Sequence, residues 1–190
     1  MNAILFIPRV IKYKCHEYLI TSISEEAFKK LQKCKSVEFP ANSEIQIIGK
    51  NSFFDSTIEK VSIPTNVTQI SEGSFSDCLN LQEISIPSDS KLRIIEKNAF
   101  SYSKIESLTI PSSVVELKEG CFNGTSKLNE IKVMSDNKFY KSIDDKMIIG
   151  KSKSNKNFDV LIFYCLPEID NVTIPNYIEI IGSSCFFNNE

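Results

Sequence analysis

VSIPTNVTQISEGSFSDCLNLQE (61–83) is followed directly by ISIPSDSKLRIIEKNAFSYSKIES (84–107), and the second stretch is a variant of the first. Each opens apolar-x-apolar-Pro, carries an isoleucine midway, then a small residue and Phe, and closes on an apolar residue before the next opening. VEFPANSEIQIIGKNSFFDSTIEK (37–60) precedes them and LTIPSSVVELKEGCFNGTSKLNE (108–130) follows. VTIPNYIEIIGSSCFFNNE (172–190) begins the same way and stops part-way. Prolines 40, 64, 87 and 111 are 24, 23 and 24 residues apart, and 111 to 175 is 64, one unit of 23 plus one of 41. A fixed period of this kind marks a solenoid, in which each unit buries its apolar face only against its neighbours.

The N-terminus fits the register. Leu5, Ile7 and Pro8 reproduce the opening and ITSISEEAF (20–28) the middle, so the first unit is 5–36, enlarged by an insert around Val10 to Glu17. Residues 1–190 then form a single array with units 5–36, 37–60, 61–83, 84–107, 108–130, 131–171 and the truncated 172–190. Periods of 20 to 29 residues belong to the leucine-rich class.

Apolar-x-apolar has a two-residue period, so Val61 and Ile63 point one way and Ser62 the other. Proline lacks an N–H and ends strand pairing, which keeps each strand short. Stacking sets Val37/Phe39, Val61/Ile63, Ile84/Ile86, Leu108/Ile110, Ile131/Val133 and Val172/Ile174 inward along a parallel ladder. Phe28, Phe53, Phe75, Phe100, Phe122 and Phe186 form a second ladder, each after a small residue: Ala27, Ser52, Ser74, Ala99, Cys121 and Cys185. The expected architecture is an α/β-type right-handed coil with short parallel strands and irregular or one-turn helical outer segments. Isoleucine outnumbers leucine 27 to 11 because β-branched side chains suit buried strands.

Composition excludes several functions. The net charge of −2 and pI near 5.6 give no basic footprint for nucleic acid. No apolar run approaches the length of a spanning helix. Ala3–Ile7 is too short for a signal-peptide core and reads as a strand. Gly totals six, scattered singly, so no phosphate loop exists.

The I-x-I-P opening, the isoleucine ladder and the a-F-x-x-C/S-x-x-L ending resemble BspA-type leucine-rich repeats, found in surface antigens of anaerobic bacteria and of some protozoan parasites. The likeness covers nearly the whole chain, in five clear units and one degenerate one. The 41-residue unit also resembles the family, whose members carry an inserted N-x-x-F-x-x-x-D segment and a strand pair ending in Tyr-Pro. Here it reads NKFYKSIDDKMIIG (137–150), KSKSNKNFD, then VLIFYCLP (160–167), with Cys165 and Leu166 parting Tyr164 from Pro167. A β-hairpin of 147–150 and 160–164 is expected, with a basic tip at Lys151, Lys153 and Lys156. The resemblance implies a non-enzymatic, protein-binding surface antigen or adhesin whose partner is an extracellular-matrix, host or cell-surface protein. The missing leader and anchor leave a cytoplasmic scaffold as the alternative, and the part-way ending is what a piece of a longer array would show.

The candidate binding surface is the outward row of the strand ladder, Glu38, Ser62, Ser85, Thr109, Lys132 and Thr173, which solenoids present as a concave strip. Small polar residues also simply solvate a sheet face, and nothing large and aromatic marks a hot spot among them. Cys78, Cys121 and Cys185 fall in core register and read as small buried hydrophobes; no disulfide is indicated. His16, beside Cys15 and Glu17, is the chain's single histidine, and adjacent side chains rarely face one site, so no catalytic group is assigned. Asp144 and Asp145 lack calcium-loop spacing and read as a turn. No metal or cofactor is expected. Asn66, Asn123 and Asn171 head glycosylation sequons, which matter only on a secretory route.

Overall fold

The computed structural model of the protein describes residues 3–152, 156–165 and 172–187. Two ladders of parallel strands run along it. The first comprises Ala3–Phe6, Cys34–Glu38, Lys60–Ser62 and Glu83–Ser85, paired in that order, followed by the pair Ser107–Ile110 and Glu130–Val133. The second is made of two-residue strands, Ser22–Ile23, Ile47–Ile48, Gln69–Ile70, Ile94–Ile95 and Glu116–Leu117. Each proline from Pro8 to Pro111 follows a strand of the first ladder closely, as its missing N–H requires. Val37, Val61, Ile84, Leu108 and Ile131 are buried beneath the first ladder, and Ile23, Ile48, Ile70 and Ile95 beneath the second.

The outer segments are not helical, and no helix forms among the described residues. The reason repeats in each coil. Two residues before and two after each ladder phenylalanine, the backbone takes positive φ: Glu26 and Lys30, Asn51 and Asp55, Gly73 and Asp77, Asn98 and Tyr102, Gly120 and Gly124. A left-handed residue at every fourth position cannot sit in a right-handed helix. Hydrogen bonds instead alternate between coils. The N–H groups of Ser52, Phe54 and Ser56 bond three residues back, to Gly49, Asn51 and Phe53. Those of Asn51, Phe53 and Asp55 bond across to the carbonyls of Glu72, Ser74 and Ser76 in the next coil. The outer turn is therefore a third interstrand-like ladder, and turns of this type satisfy every one of these donors.

Phe28, Phe53, Phe75, Phe100 and Phe122 stack face to face, with ring centroids 5.2 to 6.0 Å apart. The sixth expected member departs. Phe163 meets Phe122 edge-on at 5.3 Å, while Phe186 lies against Tyr164 in a second, smaller core with Met147, Ile149 and Leu161. The cause is the inserted unit. Tyr140–Ile143, Met147–Gly150 and Val160–Tyr164 form an antiparallel meander, and Val160–Tyr164 pairs in parallel with Ile180–Ile181. The meander thus lies as a layer between the fifth coil and the last; its strands Met147–Gly150 and Val160–Tyr164 are largely buried on both faces, which is why they are continuously apolar, while Tyr140–Ile143 at its edge exposes Lys141. The expected hairpin of 147–150 and 160–164 is present. Lys151 and Lys156 flank its connection; Lys153, Pro167 and Asn171 lie outside the described residues.

Asn137 fixes the layer. Its buried amide nitrogen donates to the carbonyls of Pro111 (2.9 Å) and Val114 (3.0 Å), and its oxygen accepts from the N–H groups of Phe139 (2.8 Å) and Tyr140 (2.9 Å). The Tyr140 hydroxyl accepts from the Leu117 N–H at 2.9 Å. A further strand pair, Val10–Tyr13 with His16–Leu19, fills the insert of the first unit as a two-stranded ribbon.

A candidate protein-interaction surface

Side chains alternate along each strand of the first ladder, so one row faces the core and the next faces out. Register places Phe6 against Glu38, Ser62 against Ser85, and Thr109 against Lys132. Five of the six expected residues, Glu38, Ser62, Ser85, Thr109 and Lys132, are therefore exposed on strands of one ladder. The Ser85 hydroxyl donates to the Ser62 hydroxyl at 2.8 Å. Lys132 contacts Glu130 at 2.5 Å and Asp145 at 3.6 Å, and the hydrogen bond it donates to Glu130 holds its ammonium above the ordinary lysine value. Thr173 is exposed but does not join the row: 172–174 forms no strand, because the inserted layer has already ended the first ladder at Glu130–Val133.

Phe6 and Ile4 extend the outward face at its N-terminal end, and both are exposed. They are the bulky apolar contribution that the polar strip lacks. The same two-residue period that sets Leu5 and Ile7 inward assigns them outward, so the signal was available in AILFI (3–7).

The other singled-out residues have structural settings. His16 and Cys15 are exposed on the N-terminal ribbon, where the His16 ring lies 6.4 Å from that of Tyr18. Asp144 and Asp145 occupy the turn of the first meander hairpin, both at positive φ. Among the described residues no three His, Cys, Asp or Glu side chains converge as metal ligands would. Asn66 is tied between coils, its amide donating to the Ser43 carbonyl at 2.9 Å and its oxygen accepting from Lys91 at 2.7 Å. The Thr125 hydroxyl of the second sequon is buried and donates to the Phe122 carbonyl at 2.6 Å. Among the described residues no helix is long and apolar enough to cross a membrane.

The chain matches the family described as BspA type leucine rich repeat region in six copies, over residues 14–129 and 93–190. No curated protein matches it. Among solved structures, a leucine-rich repeat protein from Bacteroides ovatus is similar at 29% identity and a TM-score of 0.62, over 69% of this chain and 33% of that one. The pneumococcal vaccine antigen PcpA is similar at 23% identity and a TM-score of 0.81, over 97% of this chain and 52% of that one. A leucine rich cell surface protein from Faecalibacterium prausnitzii is similar at 21% identity and a TM-score of 0.60, over 93% and 58%. The last two likenesses are to the fold alone. The chain spans from a third to somewhat over half of the length of these three proteins.

Proposed function

Because the chain belongs to the BspA-type leucine-rich repeat family, we propose that it is a non-enzymatic surface antigen or adhesin that holds a protein partner on the outward face of its first strand ladder. The observation that carries this reading is the row itself: Glu38, Ser62 and Ser85 stand on consecutive rungs of one parallel sheet with Phe6 at its end, and Thr109 and Lys132 stand on the two-stranded sheet that follows it. Short side chains on a preorganised sheet let a partner surface approach closely at small entropic cost. Phe6 supplies the kind of aromatic anchor that dominates protein interfaces. Two of the similar structures are described as a vaccine antigen and a cell surface protein, which supports a surface location.

Replacing Ser62, Ser85 and Thr109 by tryptophan tests the row. Binding of the full chain to host cells and to immobilised extracellular-matrix proteins should fall at least about tenfold, equal to about 1.4 kcal/mol, with the unfolding temperature unchanged. Binding that survives intact removes the row from the interface. A second reading, an intracellular scaffold, is favoured by the cysteines: all six are free thiols, five of them buried, which suits a reducing compartment. Protease shaving of intact expressing cells separates the two. Release equal to that of a cytosolic control would sink the adhesin reading.

A further inference from the structure

The inserted layer brings two cations together with no counter-charge. Lys141 stands on Tyr140–Ile143 and Lys151 directly follows Met147–Gly150. Both reach the ring of Phe158, with Nζ 4.5 and 4.7 Å from its centroid. The two ammoniums thus lie within roughly one Debye length of each other, about 10 Å at 0.1 M salt. A ring face attracts a cation but cancels none of its charge. Other lysines are paired with carboxylates, Lys35 with Glu59, Lys50 with Glu72 and Lys132 with Glu130. Among the described residues no carboxylate pairs with Lys141 or Lys151. The hairpin's own acid, Asp159, is buried and accepts from the N–H of Ser152 at 2.7 Å and from its hydroxyl at 2.6 Å.

Lys141 and Phe158 line a cleft of about 450 Å³, within the ~300–1,000 Å³ typical of small-molecule sites. Its floor is apolar and anchored: Ile149 is buried, and Phe158 packs on the smaller core. Another wall is the turn of the last coil, fixed on the hairpin by the Glu179 N–H, which donates to the Asp159 carbonyl at 2.9 Å. That wall presents Asn176, Tyr177 and Glu179, all exposed.

We propose that this cleft binds an acidic sugar residue of a glycan. Lys141 and Lys151 take its carboxylate, the Tyr177 ring takes its apolar C–H face, and Asn176 and Glu179 take its hydroxyls. The mixture of groups decides the class. A neutral sugar leaves two uncompensated ammoniums beside it. A phosphate-rich polymer or an anionic membrane brings many negative charges against Glu179, and a nucleic acid needs a run of cations along a groove, which a chain of net charge −2 does not offer. A ligand with one carboxylate, several hydroxyls and an apolar ring face uses every group. The cleft lies on the inserted layer and the last coil, so the site goes beyond the binding row proposed above and stands or falls separately from it.

NMR titration of the full, nitrogen-15-labelled chain tests it, with methyl β-D-glucuronide and the methyl α-glycoside of N-acetylneuraminic acid as probes. The amides of Phe158 and of residues 176–179 should shift saturably, with a dissociation constant of about 1 to 10 mM for at least one acid. The methyl ester of that acid keeps every hydroxyl and loses the charge, and should bind at least about tenfold more weakly. Lys141→Gln/Lys151→Gln should weaken the acid to the level of the ester and leave the ester unchanged. Tyr177→Ala should weaken acid and ester alike, and added salt should weaken the acid alone. Saturable binding of either acid with this pattern supports the proposal, and the tighter of the two names the sugar. No saturable shift with either acid up to about 50 mM overturns it, as does equal binding of acid and ester. Shifts at the same amides with a single-stranded oligonucleotide or with anionic lipid vesicles, and none with the sugars, also overturn it and assign the cleft to that partner.

Discussion

At the scale of single residues, the cysteines divide cleanly by surroundings. Cys34, Cys78, Cys121, Cys165 and Cys185 are buried and Cys15 is exposed. Burial disfavours the thiolate, so the Cys78 thiol is pushed up to about 11 and that of Cys165 to about 12, with Cys121 and Cys185 raised for the same reason. Only the thiolate reacts with alkylating agents. Brief iodoacetamide treatment of the native protein at neutral pH should modify Cys15 alone, and all six residues after denaturation, as read by mass spectrometry. A second native site would show that the coils open. The sign of the pH effect follows from the same shifts. The unfolded chain ionises Cys78, Cys121, Cys165 and Cys185 near the ordinary value of 9.0 while burial holds these four protonated in the folded chain, so their stability contribution is fully present below that pH. It should be lost progressively as pH rises from about 9 to about 11, with a smaller loss in Cys78→Ala.

At the scale of elements, the inserted layer depends on one side chain. Asn137→Ala removes four hydrogen bonds, takes the Asn137 donor from the Val114 carbonyl and leaves the Pro111 carbonyl only the Val114 N–H at 3.3 Å. Urea denaturation should record a loss of about 2 to 4 kcal/mol. A loss under about 1 kcal/mol would mean that the meander is held by its apolar faces alone. The strands of the first ladder were legible in the sequence because a two-residue period, a terminal proline and strict repetition all specify them. The second ladder was only half legible: Ile48, Ile70 and Ile95 were visible as repeated positions, but two-residue strands leave no period to read. The outer turns were expected to be partly helical because a small residue before Phe carries no mark of positive φ. At Glu26, Lys30 and Tyr102 in particular, the left-handed conformation is imposed by stacking rather than by residue type. The departure of Phe186 was invisible for a related reason: Phe163 takes its place from another unit, and no alignment of repeats can show that. Of the candidate site, all but Thr173 fell on the strand row, since the same period generates both faces.

At the scale of the whole molecule, the column of outer turns is interrupted, among the described residues, at Phe122. Everywhere before it the N–H of the ladder phenylalanine donates to the next coil, Phe53 to Ser74, Phe75 to Ala99 and Phe100 to Cys121. At Phe122 the following coil is the last one, and the carbonyl of Cys185 is taken by the Tyr164 N–H. Among the described residues only Gly124 still reaches across, to Phe187 at 2.8 Å, and a cleft of about 190 Å³ opens between Gly120–Asn123 and Gly182–Ser184, with Phe163 in its lining. In hydrogen exchange, the amides of Phe75 and Phe100 should be protected at least roughly a hundredfold better than that of Phe122. Equal protection would show the coils to be continuous there. The alternation of bonds within and between coils in the outer turns has a bearing on how such a chain can change its length. From the second-ladder residue to its phenylalanine, 23 to 28, 48 to 53, 70 to 75, 95 to 100 and 117 to 122, the interval is always five. From Pro40, Pro64, Pro87 and Pro111 to the second-ladder residue it is eight, six, eight and six, and from phenylalanine to the buried Val37, Val61, Ile84, Leu108 or Ile131 of the next strand it is nine or eight. One residue added within the five would turn every donor meant for the neighbour back on its own coil, and the reverse. Insertions and deletions can therefore accumulate at two corners of the coil, while the third evolves at fixed length.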